Sequence, residues 1–428
     1  MADRQQSGAH VVIVGGGFGG LYAAKALASF QIPFTLVDRR NFHLFQPLLY
    51  QVATGSLSPG DITAPIRSVV NRFSGARVLQ DEVTDVRAGT HEVVLRDGGT
   101  LNYTRLIVAA GSRTSYLGHD EWQAQSCGLK SIEEALTMRQ RVLGAFERAE
   151  KETDAKRRDR LLTFMIVGGG PTGVELAGAL RELARGTLQH DFRNFDPARA
   201  RVILVEAIER LLPTFPPTLS RKTRHALEAL GVEVRLNTRV TGVQAGRITI
   251  TSAERGEEHI EAETVLWAAG VTSSAFGEKI AAAFNAERDR SGRVMVGPDL
   301  SVPGHPDVYV IGDLAHATDA GGKMLPGLAP VAIQQGQYVA RHIRGSTREP
   351  FRYHDKGQLA VIGRNRAVCD LGWARLSGFP AWIIWVFVHI QYLIGFDNKL
   401  LVMMQWGFNY FTRKRGARLI TFEPGPDA

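Results

Sequence analysis

Gly15, Gly17 and Gly20 follow a run of β-branched residues, and the same G-x-G-x-x-G spacing recurs at Gly168, Gly170 and Gly173. Glycines in this pattern suit the binding of a pyrophosphate. The first permits a tight turn, the second lets backbone N–H groups approach the phosphates, and the third lets a helix pack closely on a strand. In each case a carboxylate ends the next apolar run, Asp38 after PFTLVD and Glu206 after RVILVE. A carboxylate there can accept both hydroxyls of an adenosine ribose. The plain alternative is that glycine turns merely start helices and the acids cap loops. Strand, glycine turn, helix and acid occurring together favour a dinucleotide site.

Glu206 carries a specificity consequence. Its charge pairs with a free ribose 2′-hydroxyl and repels a 2′-phosphate, so the second site is expected to prefer NADH to NADPH. It lies 38 residues beyond Gly168, because the segment Thr187–Ala200 lengthens the crossover. Two dinucleotide sites in one chain point to a nicotinamide that releases a hydride and a flavin that takes it. Gly312-Asp313, closing the run DVYVI, offers a carboxylate for the sugar-alcohol chain of a flavin; otherwise it is a turn aspartate.

The elements that must position these residues can be read from periodicity. His10–Val14 is a strand, Leu21, Ala24, Leu27 and Ala28 recur at helical spacing, and Pro33–Asp38 is a second strand. The unit returns 153 residues later, with a strand at Thr163–Val167, a helix from Val174 to about Leu183, and a strand at Arg201–Glu206. Leu106–Gly111 (LIVAAG) and Val265–Gly270 (VLWAAG) form a further matched pair. The chain is therefore read as a diverged internal duplication. Glu147–Arg160, with eleven charged residues in fourteen, is a solvated helix or linker, since its mixed signs do not suit a nucleic-acid arm. Arg293–Asp313 returns to strand patterning, and Gly345–Pro350 is a boundary.

The last eighty residues change character. Ala381–Phe396 is almost continuously apolar and aromatic, and Leu400–Phe411 follows before Arg413, Lys414, Arg415 and Arg418. Sixteen residues carrying His389 and Gln391 are short for a span needing about twenty. An interfacial helix pair, with a basic cluster for anionic headgroups, is the expectation; a buried dimerisation pair is the alternative.

Composition sets outer bounds. With 428 residues, 44% of them hydrophobic, the chain is globular and of two or three domains. The net charge of +8 permits anionic partners. Cys127 and Cys369 form no C-x-x-C pair, disulfide framework or zinc site, and no metal is expected; each is read as a buried inert thiol. The first ten residues have no apolar core of a secretory signal.

The segments VVIVGGGFGGL, HLFQPLLYQVATGSLSP (His43–Pro59), FMIVGGGPTGVELAGAL, VYVIGDLAHA, LPGLAPVAIQQG (Leu325–Gly336) and IGFDNKLLVMMQWGFNYFTRKRGARLI make the chain resemble a type II NADH dehydrogenase, a single-subunit NADH:quinone oxidoreductase, over nearly all of residues 10 to 422. The resemblance implies FAD at Gly15, Gly17, Phe18, Gly19, Gly20, Asp38, Arg39, Thr54, Val83, Ala110, Gly111, Gly312 and Asp313. It implies NADH at Gly169, Gly170, Pro171, Thr172, Gly173, Glu206, Ala269 and Gly270. Glu175 would lie near the nicotinamide and flavin, with a part in charge or proton transfer; the competing reading is a first-turn glutamate favoured by the helix dipole. On the quinone side the family often shows Ala-Gln-x-x-Ala-x-Gln, whereas this chain has Ala329-Pro330-Val331-Ala332-Ile333-Gln334. Proline has no side-chain donor. Gln334 becomes the candidate catalytic residue there, flanked by Ala329, Pro330 and Ile333, with a helix-surface glutamine as the alternative.

The expected fold is α/β, with two Rossmann-like dinucleotide-binding domains of the disulfide-reductase-like flavoprotein type and a C-terminal amphipathic helical membrane-anchoring region. Domains are expected at 8–115 (FAD, first part), 116–290 (NADH), 291–345 (FAD, second part, with the quinone segment) and 346–428 (membrane-associated). The expected activity is electron transfer from NADH through FAD to a quinone without proton pumping. The expected location is peripheral, on one leaflet at the cytoplasmic face of the inner (plasma) membrane, with no nucleic acid and a homodimer left open. A sulfide:quinone or ferredoxin-type flavin reductase is the competing enzyme, and a flavin-bearing NADH sensor the competing non-enzyme.

Overall fold

The computed structural model describes residues 10–394, 396–412 and 415–420. It divides into two compact units, the first gathering the chain up to Leu44 with Thr63–Arg113 and Val271–Asp355, the second Phe45–Ile62, Thr114–Gly270 and the chain from Lys356.

The first unit is built on a six-stranded sheet in the order Ser301–Val302, His305–Val310, Arg105–Val108, Val11–Val14, Phe34–Asp38, Ala76–Gln80. Its pairings are parallel except for the terminal hairpin. Continuous apolar runs such as Val11–Val14, buried at every position, are what a sheet covered on both faces requires. The strand order reverses at Val11–Val14, so the crevice beyond its carboxyl end is where ligands bind in such sheets. A three-stranded antiparallel insert, Val83–Arg87, Glu92–Leu95 and Thr100–Asn102, completes the unit.

The second unit repeats this plan. Its parallel sheet runs Ser126–Cys127, Thr264–Trp267, Thr163–Val167, Arg201–Val205, Val232–Arg235, and its antiparallel insert is Thr238–Gln244, Arg247–Ser252 and Gly256–Glu261. The charged segment expected as a solvated helix or linker falls in the helices Ile132–Lys151 and Ala155–Leu161, the second capped by the Asp154 side chain. From Gln358 the chain forms the antiparallel sheet Gln358–Gly363, Arg366–Asp370, Arg375–Gly378, then the helices Phe379–Tyr392 and Phe396–Thr412.

Residues 271–290, grouped by sequence with the NADH module, pack instead in the first unit. The helix Phe276–Phe284 explains this, since its Ile280 and Phe284 join a core with Val83, Val86 and Val93. The segment after Lys356 shares its unit with Phe45–Ile62, through bonds described below.

Among the described residues no helix is long and apolar enough to cross a membrane. The two terminal helices are two-faced. On Phe379–Tyr392, Phe379, Ile383 and Phe387 recur every four residues and are exposed, while Ala381 and Trp385 are buried. On Phe396–Thr412, Leu400, Met404, Phe408 and Phe411 face outward, and Val402 inward.

Candidate active site

The two glycine turns are built alike, down to individual hydrogen bonds. Gly15 N–H donates to Val37 O and Gly168 N–H to Val205 O, both at 2.8 Å, while Ala109 N–H reaches Val14 O and Ala268 N–H reaches Val167 O. Gly15 and Gly168 hold φ of +99° and +108°, where a side chain would be strained. The third glycine of each motif explains itself by distance: a Cβ on Gly20 would lie 1.8 Å from Gly15 O, and one on Gly173 1.8 Å from Gly168 O. At the middle glycines, Gly17 and Gly170, a Cβ would meet nothing within 4 Å. Each caps a helix, Phe18–Ser29 or Pro171–Glu182, and as glycine offers it no capping side chain. Backbone donors at the positive end of a helix are what a pyrophosphate requires.

The acids are aimed at their own turns. Asp38 accepts Gly16 N–H at 2.6 Å and Arg40 N–H at 2.7 Å. Glu206 accepts Gly169 N–H at 2.5 Å and Ile208 N–H at 3.1 Å. Carboxylate oxygens carry further lone pairs, so each acid can grip its turn and still receive ribose hydroxyls. Replacing Glu206 by Gln or Ser is expected to improve NADPH use relative to NADH, read as the ratio of the two kcat/KM values. An unchanged ratio would remove Glu206 from the adenosine site.

The NADH candidates Gly169, Gly170, Pro171, Thr172, Gly173, Glu206, Ala269 and Gly270 all fall in the second unit, and a Cβ on Gly168 would lie 2.8 Å from the backbone of Ala268 and Ala269. Of the FAD candidates, Gly15, Gly17, Phe18, Gly19, Gly20, Asp38, Arg39, Val83, Ala110, Gly111, Gly312 and Asp313 belong to the first unit and Thr54 to the second. Ser112 donates its hydroxyl to Asp313 at 2.6 Å, and Gly312 N–H donates to the buried Gln335 side chain at 2.7 Å. Neither partner was legible as functional in the sequence. The Val83 side chain is spent in the core.

Pro330 sits in the first turn of the helix Ala329–Ile343, where a missing N–H costs nothing. Gln334 is committed: its amide NH₂ donates to His354 O and its carbonyl accepts His354 N–H, both at 2.9 Å. Ile333 is buried. Ala329 and Pro330 remain partly accessible.

Glu175 is not a surface residue of its helix. It is buried, its Oε1 is 3.4 Å from Val361 N, and burial pushes its pKa up to about 8, against the Val361 N–H, which lowers it. His43, which follows the first strand pair, donates from Nδ1 to Gly16 O at 2.9 Å and meets Phe18 edge-on, propping the first turn from beneath. Burial holds it down at about 4.

These shifts fix a pH dependence. An unfolded His43 takes up a proton below its ordinary 6.5 while the folded one does not until about 4, so stability of the first unit should rise by about 3 kcal/mol from pH 4 to 6.5. His389, packed on Trp385 and also held at about 4, acts likewise in the second unit. There Glu175 opposes it: folded, it keeps its proton up to about 8, whereas unfolded it loses it near 4.5, so stability conferred by the proton is lost as pH rises. Between 4.5 and 6.5 the two offset each other, and from 6.5 to 8 the second unit should weaken. Melting curves followed across this range check the signs; a second unit whose melting point climbs from pH 6.5 to 8 contradicts the Glu175 assignment.

The basic cluster expected to meet lipid headgroups is divided. Arg413 and Lys414 lie outside the described residues. Arg415 is turned inward, donating to Thr54 O and Ala179 O at 3.0 Å each, and Arg418 bonds Asp191. Arg415 and Arg418 are therefore internal ties, because backbone carbonyls and acids of the same unit claim them.

The fold and the paired cradles define a flavoprotein reductase with two dinucleotide sites. The model of the pyridine nucleotide-disulphide oxidoreductase family matches residues 9–336, and that of the NDH2 C-terminal domain matches 355–414. The chain is 45% identical over 423 residues to the Type II NADH:quinone oxidoreductase NdhA of Mycobacterium tuberculosis, covering 96% of this chain and 89% of the relative. It is 44% identical to a second such enzyme, Ndh, of the same organism, covering 96% and 90%. The solved structure of NDH2 from Plasmodium falciparum in complex with NADH superposes with a TM-score of 0.87 at 21% identity, over 95% of this chain and 99% of that one, which supports the fold. The chain belongs to the pyridine nucleotide-disulphide oxidoreductases and, among them, to the type II NADH:quinone oxidoreductase family.

Proposed function

We propose that this chain oxidises NADH and, through FAD, reduces a quinone without moving protons across a membrane. The observation that carries the reading is the duplicated cradle, two glycine turns with identical bonding, each closed by its own acid, joined in one chain to the C-terminal domain of this family. FAD, when bound, supplies a ring that accepts a hydride and releases electrons onward. The N–H groups at Gly17 and Phe18, with Asp38, would hold its adenosine diphosphate end, and Asp313, set by Ser112, its sugar-alcohol chain. Those at Gly170 and Thr172, with Glu206, would hold NADH. Glu175 is the buried acid suited to hold or give a proton near neutral pH, which quinone reduction consumes. Because the Gln334 amide is bonded to His354, a role for it with quinone requires that pair to open.

Stopped-flow flavin absorbance tests this. Bleaching by NADH and reoxidation by a quinone analogue are expected; bleaching by sulfide instead would favour the competing reductase. Against that competitor, Cys127 and Cys369 are both buried free thiols, each pushed up to about 11 by burial, too high for a thiolate nucleophile. The outward rows Phe379–Ile383–Phe387 and Leu400–Met404–Phe408 support attachment to one leaflet; the cytoplasmic face is our proposal for that leaflet. Phe387→Glu should weaken flotation with anionic liposomes; undiminished flotation would count against that face.

A further inference from the structure

The two cradles differ at one carbonyl. Gly16 and Gly169 hold the same place in their turns, and each gives its N–H to the acid of its own unit, Asp38 or Glu206. Each is pressed by an aliphatic side chain: a Cβ would lie 2.5 Å from Ile66 Cδ1 at Gly16 and 2.6 Å from Leu211 Cδ2 at Gly169. Gly169 O then accepts the backbone N–H of Leu212 at 2.8 Å, whereas Gly16 O is 2.9 Å from Nδ1 of the His43 side chain. A carbonyl only accepts, so Nδ1 carries a proton. Nε2 is buried and has no hydrogen-bond partner among the described residues, so Gly16 O alone fixes the ring by hydrogen bonding. Two further contacts set its place. The strand Phe42–Leu44 pairs with Thr63–Pro65, His43 opposite Ala64, and the Phe18 ring meets the imidazole edge-on at 4.9 Å.

Resting on the reading of the first cradle as the flavin site, we infer that His43 is a positioning residue for the flavin pyrophosphate: by holding Gly16 O it orients the peptide whose other edge is the Gly17 N–H. In a trans peptide C=O and N–H point in opposite directions. Anchoring the oxygen beneath the turn therefore turns the Gly17 N–H to the far side, as the binding of a pyrophosphate there requires. The anchor is needed because this peptide joins two glycines, and no Cβ on either side limits its rotation. In the second cradle the backbone of Leu212, at φ +49°, does the same for the Gly170 N–H. A side-chain substitution can thus loosen the first cradle by this route and leave the second alone.

Dilution of the flavin-loaded protein, followed by the fluorescence of released flavin, gives the flavin dissociation constant, and calorimetric titration of the same samples with NAD⁺ reads the second cradle. His43→Leu keeps an apolar side chain in the space and has no donor. His43→Asn is smaller but carries an amide N–H on an atom as many bonds from the backbone as Nδ1. His43→Leu should weaken flavin binding about tenfold, the worth of one hydrogen bond. His43→Asn should recover most of that loss, and NAD⁺ affinity should hold in both. A packing role would reverse the order, since leucine fills more of the space. Should His43→Leu fold too poorly to load, His43→Gln, whose amide N–H lies one bond further out, takes its place. Nitrogen-15 resonances of the wild-type ring should show Nδ1 protonated. Flavin bound by His43→Leu or His43→Gln as tightly as by His43→Asn, a parallel fall in NAD⁺ affinity, or a ring protonated only at Nε2 overturns the inference and leaves the flavin site in place. A wild-type protein that takes up no flavin would instead remove the reading beneath it.

Discussion

Gly20→Ala is expected to yield colourless protein, whereas Gly17→Ala should fold normally and only bind flavin more weakly. The two glycines are three residues apart and look equivalent in the motif. Physically they are not. A Cβ on Gly20 would lie 1.8 Å from Gly15 O and 3.2 Å from Ile13 Cγ2, and the oxygen belongs to a backbone whose N–H is bonded to Val37 O at 2.8 Å. Neither side can yield without parting the helix Phe18–Ser29 from the strand Val11–Val14. Overpacking of this kind costs roughly 3 kcal/mol or more, and here it displaces the helix N-terminus that would face the phosphates. At Gly17 nothing lies within 4 Å, so an added methyl meets only the space a pyrophosphate would use. The ratio of flavin to protein absorbance and the apoprotein melting point read the two effects separately. A fully yellow Gly20→Ala protein would show that the helix does not need this close approach.

That contrast also explains how much of the site could be read before the fold was known. The cradles were legible because they are made of backbone, and only glycine satisfies a φ of +99° at Gly15 or a contact of 1.8 Å at Gly20. Asp38 and Glu206 were legible because a strand fixes where it ends. Their bonds to Gly16 and Gly169 were not, since a carboxylate folding back on the preceding turn leaves no trace in spacing. His43 was hidden for a different reason. It acts through a partner far away in sequence, Gly16, and reads locally as one more aromatic position. The domain limit expected at 290 falls at 270, because Ile280 and Phe284 find their core beside Val83, which no local pattern specifies.

Arg415 was read with its neighbours as a surface cation, and its actual place makes Arg415→Met the most damaging substitution expected in the second unit. Its guanidinium donates to Thr54 O and to Ala179 O, at 3.0 Å each, and lies 3.9 Å from Glu182. One side chain thus ties the residues after the helix Phe396–Thr412 to both the Leu49–Ala53 turn and the helix Pro171–Glu182. Burial lowers its pKa, so desolvation works against the charge and the bonds must offset it. Methionine fills a similar volume but takes a donor from two carbonyls and the cation from Glu182, leaving Ala179 O the Leu183 N–H and Glu182 the Arg364 N–H. Removing one member of such a set costs about 3–5 kcal/mol. Trp406 to Gln51, Asn409 to Ser56 and Arg139 to Ala417 would still hold the terminal helix, so the expected result is partial release. Proteolysis should cut first between residues 393 and 420, at a temperature where the wild type resists, while the first unit keeps its melting point. Lysine at 415 restores the charge but cannot reach both carbonyls in a fixed fork, and should recover less than half of the loss. If Arg415→Met melts with the wild type and shows no new cleavage, the guanidinium is a passenger and the tail is held by its aromatic residues alone.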